Sequence, residues 1–248
     1  MIIPQNTTVR PAVEIRRKDQ RFHTQAGWLE SRHSFSFGHH YDEGNTHHGL
    51  LLVHNDDVVM PNTGFRTHPH RDMEIVTWVL DRRLEHKDSE GNHGILYPGL
   101  AQRMSAGTGI WHSEMNPQGD EAVHFIQMWV PPDTERLTPS YEQLDINGQL
   151  SKGGLVPVAS GRGHEAAISI RQKGAVLWSG RLGPGATVAV PDSPYVHVFV
   201  AKGSAVLEDA GRLEAGDEAR LTASGGRALT ADHNGAEVLI WETNRTLE

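Results

Sequence analysis

The sequence predicts an all-β protein made of two similar domains. Short runs rich in Val, Ile, Leu, Thr and aromatic residues recur between clusters of Gly, Pro, Asn and Asp, as in GLLLVHND, EIVTWVLD, HFIQMWVPP, VHVFVA and EVLIWET. Evenly spaced runs of this kind, bounded by turn residues, are typical of strands in a sandwich or barrel. Helical patterning is weak, and only two short pieces, near Tyr141 to Leu144 and near Trp28 to Arg32, are candidate helices.

A proline-rich segment close to mid-chain indicates a domain boundary. Three prolines fall within residues 131–139, and proline lacks the amide donor that the interior of a sheet requires. A chain of 248 residues has room for one large domain or two of ordinary size. We therefore expect a first domain at residues 1–135 and a second at residues 136–248.

An internal repeat supports this division. RMSAGTG at residues 103–109 resembles RLTASGG at residues 220–226, an offset of 117 residues, and WVL at residues 78–80 falls opposite FVA at residues 199–201, an offset of 121. The loop KDSEGNHG in the first copy accounts for the difference between the two offsets. Two matches in the same order, with the length difference in a turn, indicate two copies of one β fold.

Composition excludes several classes of function. The net charge of −8 and the short basic runs favour neither a nucleic acid nor an anionic membrane as partner. The absence of cysteine excludes disulfides, iron–sulfur ligation and thiol chemistry, so a metal would have to bind nitrogen and oxygen. There is no apolar stretch of about 18 residues and no secretory signal in MIIPQNTTVRPAVEIRR, so we expect a cytoplasmic protein.

Two pairs of candidate metal ligands stand one residue apart in the sequence. They are His68 and His70 in RTHPHRDMEIV, and His112 and Glu114 in GTGIWHSEM. Residues at this spacing share one face of a strand, and Pro69 places the first pair at a sheet edge, a strand start or a bulge. Either pair alone is also typical of ordinary hydrogen-bonded side chains. If the two segments face each other, three imidazoles and one carboxylate converge, which favours a metal site.

The second copy of the repeat lacks these side chains. The two offsets carry the four positions to Ala189, Pro191, Leu229 and Ala231. A scaffold that needed polar groups there for folding would keep some of them in both copies. The comparison therefore favours a functional site in the first copy only.

These motifs resemble the pirin family of the cupin superfamily. The resemblance covers about residues 15–145 and is carried by GWLESRHSFSFGHHYD, THPHRDMEIVTWVL, LEHKDSEGN, MSAGTGIWHSEMNP and HFIQMWVPP. It implies a bicupin, with two tandem cupin (double-stranded β-helix, or jelly-roll) barrels and one mononuclear metal ion, usually iron, in the first. It also implies that His68, His70, His112 and Glu114 are the ligands of this ion, with Fe(II) as the expected metal. Nitrogen and oxygen donors without thiolate also suit manganese, cobalt, nickel, copper or zinc, and the sequence does not choose among them.

A second glutamate competes for the fourth ligand position. The general cupin pattern His-X-His-X3-Glu is met by His68, His70 and Glu74. Glu74 is four residues after His70, so the alternation of side chains along a strand would place it on the same face and does not exclude it. The resemblance favours Glu114, with Glu74 as a polar neighbour. The turn at residues 81–83 departs from the family, which usually has a glycine there.

The resemblance implies two different uses of the same site. Some pirins act as quercetin 2,3-dioxygenases, which cleave a flavonol between C2 and C3 and release carbon monoxide. We favour this reaction, in which the metal binds the 3-hydroxyl of a flavonol or similar enol, and Glu114 is both ligand and acceptor of the proton. Other pirins resemble non-enzymatic regulators, whose iron oxidation state changes the affinity for a protein partner. The four ligands do not separate the two hypotheses.

The remaining histidines need separate interpretations. His86 and His93 lie on a predicted hairpin and are expected to form hydrogen bonds rather than to bind metal. His124 alternates with core positions and is a candidate to face the cavity and support a ligand. His197 has no partner two residues away and is expected to be structural.

Overall fold

The computed structural model describes residues 10–247 and is almost entirely β-structure. The first part of the chain forms the strands Ala12–Arg16 (β1), Phe22–Ala26 (β2), Leu29–His33 (β3), Val53–Val59 (β4), Gly64–His70 (β5), Glu74–Asp81 (β6), Leu84–Asp88 (β7), His93–Leu96 (β8), Leu100–Ser105 (β9), Ile110–Met115 (β10), Val123–Val130 (β11) and Ser140–Asp145 (β12). The second part forms Val156–Ser160 (β13), Ile168–Ser169 (β14), Ala175–Leu182 (β15), Thr187–Ala189 (β16), Tyr195–Leu207 (β17), Gly211–Glu214 (β18), Glu218–Thr222 (β19) and Ala228–Thr243 (β20).

Helical structure is limited to two short elements among the described residues. They are a 3-10 helix at Lys18–Gln20 and an α-helix at Asn147–Leu150 (α1). Across residues 10–247, no helix has the length and apolar character needed to cross a membrane. The sequence indicates no secretory signal in the segment that begins at residue 1. The first nine residues of that segment lie outside the described residues.

The prediction of two short candidate helices is wrong. Tyr141 to Leu144 belongs to β12, which pairs with β9. Trp28 to Arg32 falls mostly in β3, which is hydrogen-bonded to β2 on one side and β4 on the other. Pairing with distant strands overrides the weak local preference of such short segments.

The all-β bicupin prediction is confirmed. The first barrel is built from a seven-stranded sheet, β12-β9-β6-β11-β4-β3-β2, and a four-stranded sheet, β5-β10-β7-β8. A cluster of buried apolar side chains from both sheets, including Val79, Leu84, Leu96 and Phe125, fills the space between them. The second barrel is formed by a single nine-stranded sheet whose main path is β1-β19-β17-β20-β15-β13-β14.

The strand register confirms the repeat found in the sequence. In the first barrel, Glu74 of β6 pairs with Ser105 of β9. The residues at the two predicted offsets, Tyr195 of β17 and Thr222 of β19, pair with each other in the second barrel. The two barrels therefore share both their strand order and their register in this region.

Two strands, β1 and β12, pair with strands on the other side of the expected domain boundary. β1 pairs with β19 in the sheet of the second barrel, and β12, which follows residue 135, pairs with β9 in the first barrel. Each barrel thus includes a strand from the other side of the boundary. The division at residues 135 and 136 stays a prediction.

The two barrels are packed through a shared apolar core. Alternate residues of β6, including Val76 and Trp78, point to this core, where they lie with residues of β17 and β20 such as Phe199 and Trp241. The indole of Trp78 donates a hydrogen bond to Glu237 of the second barrel, at 2.9 Å. The other residues of β6 face the interior of the first barrel, because side chains alternate along a strand.

A buried charged network also joins the barrels. Glu218 of β19 accepts a hydrogen bond from Ser34, and Arg220 donates to the side chain of Asn45 at 2.7 Å. Arg21 and Asp56 form a buried ion pair in the first barrel at 2.6 Å. Buried charges of this kind are costly unless they are paired, so removing one partner destabilises the fold strongly.

Candidate metal centre and adjoining cavity

All four expected ligands lie on two neighbouring strands, β5 and β10, and the three histidines form a close cluster. β5 and β10 are antiparallel, and His112 lies directly opposite His68. Candidate ligand atoms of His68, His70 and His112 lie within 4.8 Å of one another, and their ring centroids are 4.5 to 5.0 Å apart. β5 is an edge strand, as the proline between its two histidines predicts. The two segments meet as neighbours in one sheet rather than across the barrel.

The donor set of these histidines fits a metal ion. The Nε2 atom of His70 and both ring nitrogens of His112 are buried without a hydrogen-bond partner in residues 10–247. His68 uses Nδ1 for a hydrogen bond to the carbonyl oxygen of Arg66, at 2.7 Å, which leaves Nε2 for another partner. Buried polar atoms normally have a partner, and nitrogen donors without thiolate suit a divalent transition metal.

Burial also keeps these imidazoles in the form that binds metal. Burial, together with the charges of neighbouring histidines, lowers the pKa of His70 to about 4 and the pKa of His112 to about 3. At neutral pH both rings are therefore neutral, and neutral imidazole is the metal-binding form.

Glu114 is buried beside His112 and held by two hydrogen bonds. Its carboxylate accepts from Thr77 Oγ1 at 3.2 Å and from Gln127 Nε2 at 2.5 Å. A register irregularity here adds one residue to β5, between Phe65 and His68, as β-bulges do. β10 keeps its alternation, so His112 and Glu114 are both buried on one face. An oxygen of Glu114 comes within 4.8 Å of ligand atoms of His112 and His86. The role of Glu114 as fourth ligand stays a prediction.

The competing glutamate, Glu74, lies away from the histidine cluster. Its carboxylate accepts hydrogen bonds from Ser105 Oγ at 2.8 Å and from the backbone amide of Arg171 at 3.1 Å. Asp72 has φ 48° between β5 and β6, so the two strands are separated by a turn and parity does not carry from His70 to Glu74. Glu74 consequently faces the second barrel.

His86 was expected only to form hydrogen bonds, and it does so beside the site. Its Nε2 atom lies 3.2 Å from Asp88. The ring is buried and lies opposite Glu114 on the neighbouring strand. The alternation of Leu84, His86 and Asp88 in LEHKD would have indicated a shared inward face.

The prediction that His124 faces the cavity and supports a ligand is wrong. The Nε2 atom of His124 lies 2.6 Å from Asp56, and its side chain is 35% exposed. His124 alternates along β11 with Ile126 and Met128 on one face of the strand, and these two residues belong to the core between the barrels. His197 is buried against Glu218 at 3.2 Å, as expected of a structural residue, and His93 pairs with Glu85 at 2.9 Å.

The corresponding region of the second barrel is apolar. Leu229 and Ala231 are buried in its core. The register there differs by one residue from the simple offset, since Ala189 pairs with Ala228 rather than with Leu229. Ala189 is exposed, so only Leu229 and Ala231 of the four corresponding positions are shown to lie in the core of the second barrel.

A cavity of about 730 Å³ adjoins the histidine cluster. This volume lies in the range of pockets that bind small organic ligands. Its apolar wall contains aromatic and sulfur-containing side chains, namely Trp28, Phe37, Phe65, Met115 and Trp129. His68, His70, Glu114 and Gln127 also line it. A ligand in the cavity would therefore lie beside the candidate metal centre.

Reasoning from the sequence missed a polar wall in this cavity. Ser31 and His33 of β3 and Asn55 and Asp57 of β4 all line it, and the two strands pair so that Ser31 lies opposite Asp57. The signal was available as same-face spacing in SRHS and HNDD. Burial raises the pKa of Asp57 to about 7, against the effect of a hydrogen bond from Ser31.

Comparison with known proteins gives one family. The family model described as Pirin matches residues 15–130. A Mycobacterium tuberculosis (strain H37Rv) protein named "Putative quercetin 2,3-dioxygenase" is 57% identical over 236 residues, which cover 95% of this chain and 96% of that protein. The Escherichia coli K12 protein named quercetin 2,3-dioxygenase is 47% identical over 131 residues, covering 53% of this chain and 57% of that protein.

Solved structures agree with this assignment. The crystal structure of YhhW from Escherichia coli has a TM-score of 0.86 and 33% identity, and the match covers 96% of this chain and all of YhhW (100%). A second crystal structure, of bacterial pirin YhhW in complex with nickel(II), also has a TM-score of 0.86 and 33% identity, covering 95% of this chain and 100% of that chain. With this similarity over nearly the whole length, the chain belongs to the pirin family.

Proposed function

We propose that this protein is a metal-dependent dioxygenase that cleaves a flavonol or a related enol with O2, in a reaction of the quercetin 2,3-dioxygenase type. The observation that carries the proposal is that buried ring nitrogens of His70 and His112 have no hydrogen-bond partner within residues 10–247 and lie beside a cavity of about 730 Å³. Two relatives carry quercetin 2,3-dioxygenase in their names. The aromatic side chains of the cavity suit a flat aromatic substrate.

We assign the metal ligands as His68, His70, His112 and Glu114, and the ion as a single Fe(II). The nickel(II) complex of the related pirin YhhW supports a divalent metal in this fold. A set of three imidazoles and one carboxylate leaves one or two coordination positions open on a six-coordinate ion. When bound, the ion would act as a Lewis acid toward the 3-hydroxyl oxygen and would supply the redox chemistry with dioxygen.

Glu114 has the second chemical role in this proposal. Its carboxylate is the acceptor for the proton of the 3-hydroxyl. Gln127 holds one carboxylate oxygen, and the indole of Trp129 donates to the amide oxygen of Gln127 at 3.1 Å. The line from Trp129 through Gln127 fixes the orientation of Glu114 before substrate binds. The aromatic walls of the cavity displace water from the bound substrate.

The test combines elemental analysis with turnover. Protein purified without oxygen should contain about one equivalent of metal, with the four-ligand site as its location. When the iron-loaded protein is mixed with quercetin in air, the absorbance of the flavonol should decrease as the substrate is cleaved, and carbon monoxide should be released. Absence of turnover with iron, nickel, cobalt, manganese and copper would refute the dioxygenase for that substrate. Capture of a defined protein partner that depends on iron oxidation state, without turnover, would support the regulator instead.

A further inference from the structure

We infer that Asp57, with Ser31 and Asn55, forms a second binding point in the cavity that recognises a ring hydroxyl of a polyhydroxylated aromatic substrate. This inference rests on the proposed function and adds the basis of substrate selectivity. The 3-hydroxyl would lie at the histidine cluster, and a hydroxyl on another ring would reach the polar wall. The cavity would then favour polyphenols over flavonols that carry only the metal-binding group.

The position of the polar wall follows from strand register. Asn55 of β4 lies opposite Gln127 of β11, and Gln127 donates a hydrogen bond to Glu114. Asn55 is therefore at the same level of the barrel as Glu114. Asp57 lies two residues farther along β4 on the same face, about 7 Å away. A planar ligand with several fused or linked rings spans such a distance.

The polar wall has unused hydrogen-bonding capacity. The hydroxyl of Ser31 donates to Asp57 Oδ1, and within residues 10–247 no hydrogen bond to Asp57 Oδ2 is formed. Asn55 Oδ1 is paired with His33 Nδ1 at 2.8 Å, whereas its Nδ2 atom donates to no protein group in the same range. Asp57 Oδ2 can accept from a phenolic hydroxyl, and Asn55 Nδ2 can donate to a ring oxygen.

The wall is fixed in place by further contacts. His33 Nε2 lies 2.9 Å from Thr24 Oγ1, so the ring that orients the Asn55 amide is itself held on its other side. Trp28 and Phe65, which also line the cavity, pack edge to face with centroids 5.2 Å apart. A binding point that is already ordered loses little conformational entropy when the ligand arrives.

The experiment compares two ligands on iron-loaded protein under nitrogen, where binding is measured without turnover. Quercetin carries the 3-hydroxyl, the 4-oxo group and four further hydroxyls, whereas 3-hydroxyflavone carries only the first two groups. Quenching of tryptophan fluorescence reports binding, since Trp28 and Trp129 line the cavity. The wild-type protein should bind quercetin about 10-fold or more tightly than 3-hydroxyflavone, as a hydrogen bond to a buried carboxyl group suggests.

The variants assign this preference to Asp57. Asp57→Leu should reduce the preference for quercetin to about 3-fold or less, because the hydrogen bond to the ring hydroxyl is lost. Its affinity for 3-hydroxyflavone and its metal content should stay close to those of the wild type. Asp57→Asn, which keeps an acceptor, should retain part of the preference, and it serves if the leucine variant does not fold. The exposed Asp120→Asn is the matched control and should change neither affinity.

The possible results separate the two proposals. If wild-type protein binds both flavonols equally, or if Asp57→Leu weakens both to the same extent, the second binding point is wrong while the proposed function stands. If the metal-loaded wild-type protein binds neither flavonol, the proposed function fails and this inference fails with it.

Discussion

Replacement of Asp57 by asparagine should stabilise the metal-free protein at neutral and alkaline pH. Burial raises the pKa of Asp57 to about 7 from an ordinary 3.8, and the charges of Asp56 and Glu114 contribute. A group whose pKa is higher in the folded state favours folding when it is protonated. Its contribution is complete below pH 3.8 and is lost as pH rises through 7.

The magnitude follows from the two pKa values. The difference between about 7 and 3.8, at about 1.36 kcal/mol per pH unit, corresponds to about 4 kcal/mol of stability lost by pH 8. Asparagine has nearly the same shape, can accept the hydrogen bond from Ser31 and carries no charge at any pH. The stability advantage of Asp57→Asn should therefore grow by roughly 2–3 kcal/mol between pH 5 and pH 8.

The assay is urea unfolding of protein stripped of metal, followed by tryptophan fluorescence at pH 5, 6, 7 and 8. The quantity compared is the free energy of unfolding of Asp57→Asn minus that of the wild type. The control is Asp120→Asn, which removes an exposed carboxylate and should give a difference that hardly depends on pH. A flat difference for Asp57→Asn, or one that falls as pH rises, would refute the reasoning about this buried carboxyl group.

Three further predictions concern the metal centre and the packing of the barrels. His112→Ala should abolish stoichiometric metal binding while the circular dichroism of the barrel is kept; full metal content by elemental analysis would contradict the ligand assignment. Glu74→Gln should leave metal content nearly unchanged, whereas Glu114→Gln should lower it clearly, and equal losses would return Glu74 to the ligand set. Gly49→Ala should lower the free energy of unfolding by about 2 kcal/mol or more, measured by urea unfolding. Gly49 has φ +59°, and an added Cβ would overlap Thr243 of the second barrel. An unchanged free energy of unfolding would show that Thr243 can move to accommodate the Cβ at no cost.

Local patterns were sufficient to place the two residues of each candidate ligand pair on one strand face. The spacing of His68 and His70 fixes a common face through strand alternation alone, and the same holds for His112 and Glu114. The glycine-rich turn before His112 marks where the second strand begins. These features depend on residues close in sequence, so they could be predicted without knowing which strands are neighbours.

Other features depend on contacts that are distant in sequence. Strand alternation could not exclude Glu74 from the sequence, because the turn with positive φ at Asp72, which interrupts the alternation after His70, is not visible there. The polar wall was missed because Ser31 and Asp57 meet only when β3 and β4 pair. His124 alternates with core residues as the sequence indicated, but the sequence does not say which of the two cores they belong to.

The exchange of β1 and β12 between the two sheets bears on how this protein could have evolved. A chain cut at residue 135 would leave β9 without its neighbour β12, and the remaining part would leave β19 without β1. Unpaired strand edges recruit other chains and lead to aggregation. A lineage that lost the second barrel would therefore expose the edge of the barrel that carries the candidate metal centre. Selection against aggregation of the first barrel is sufficient to preserve the second, even if the second barrel has no chemistry of its own.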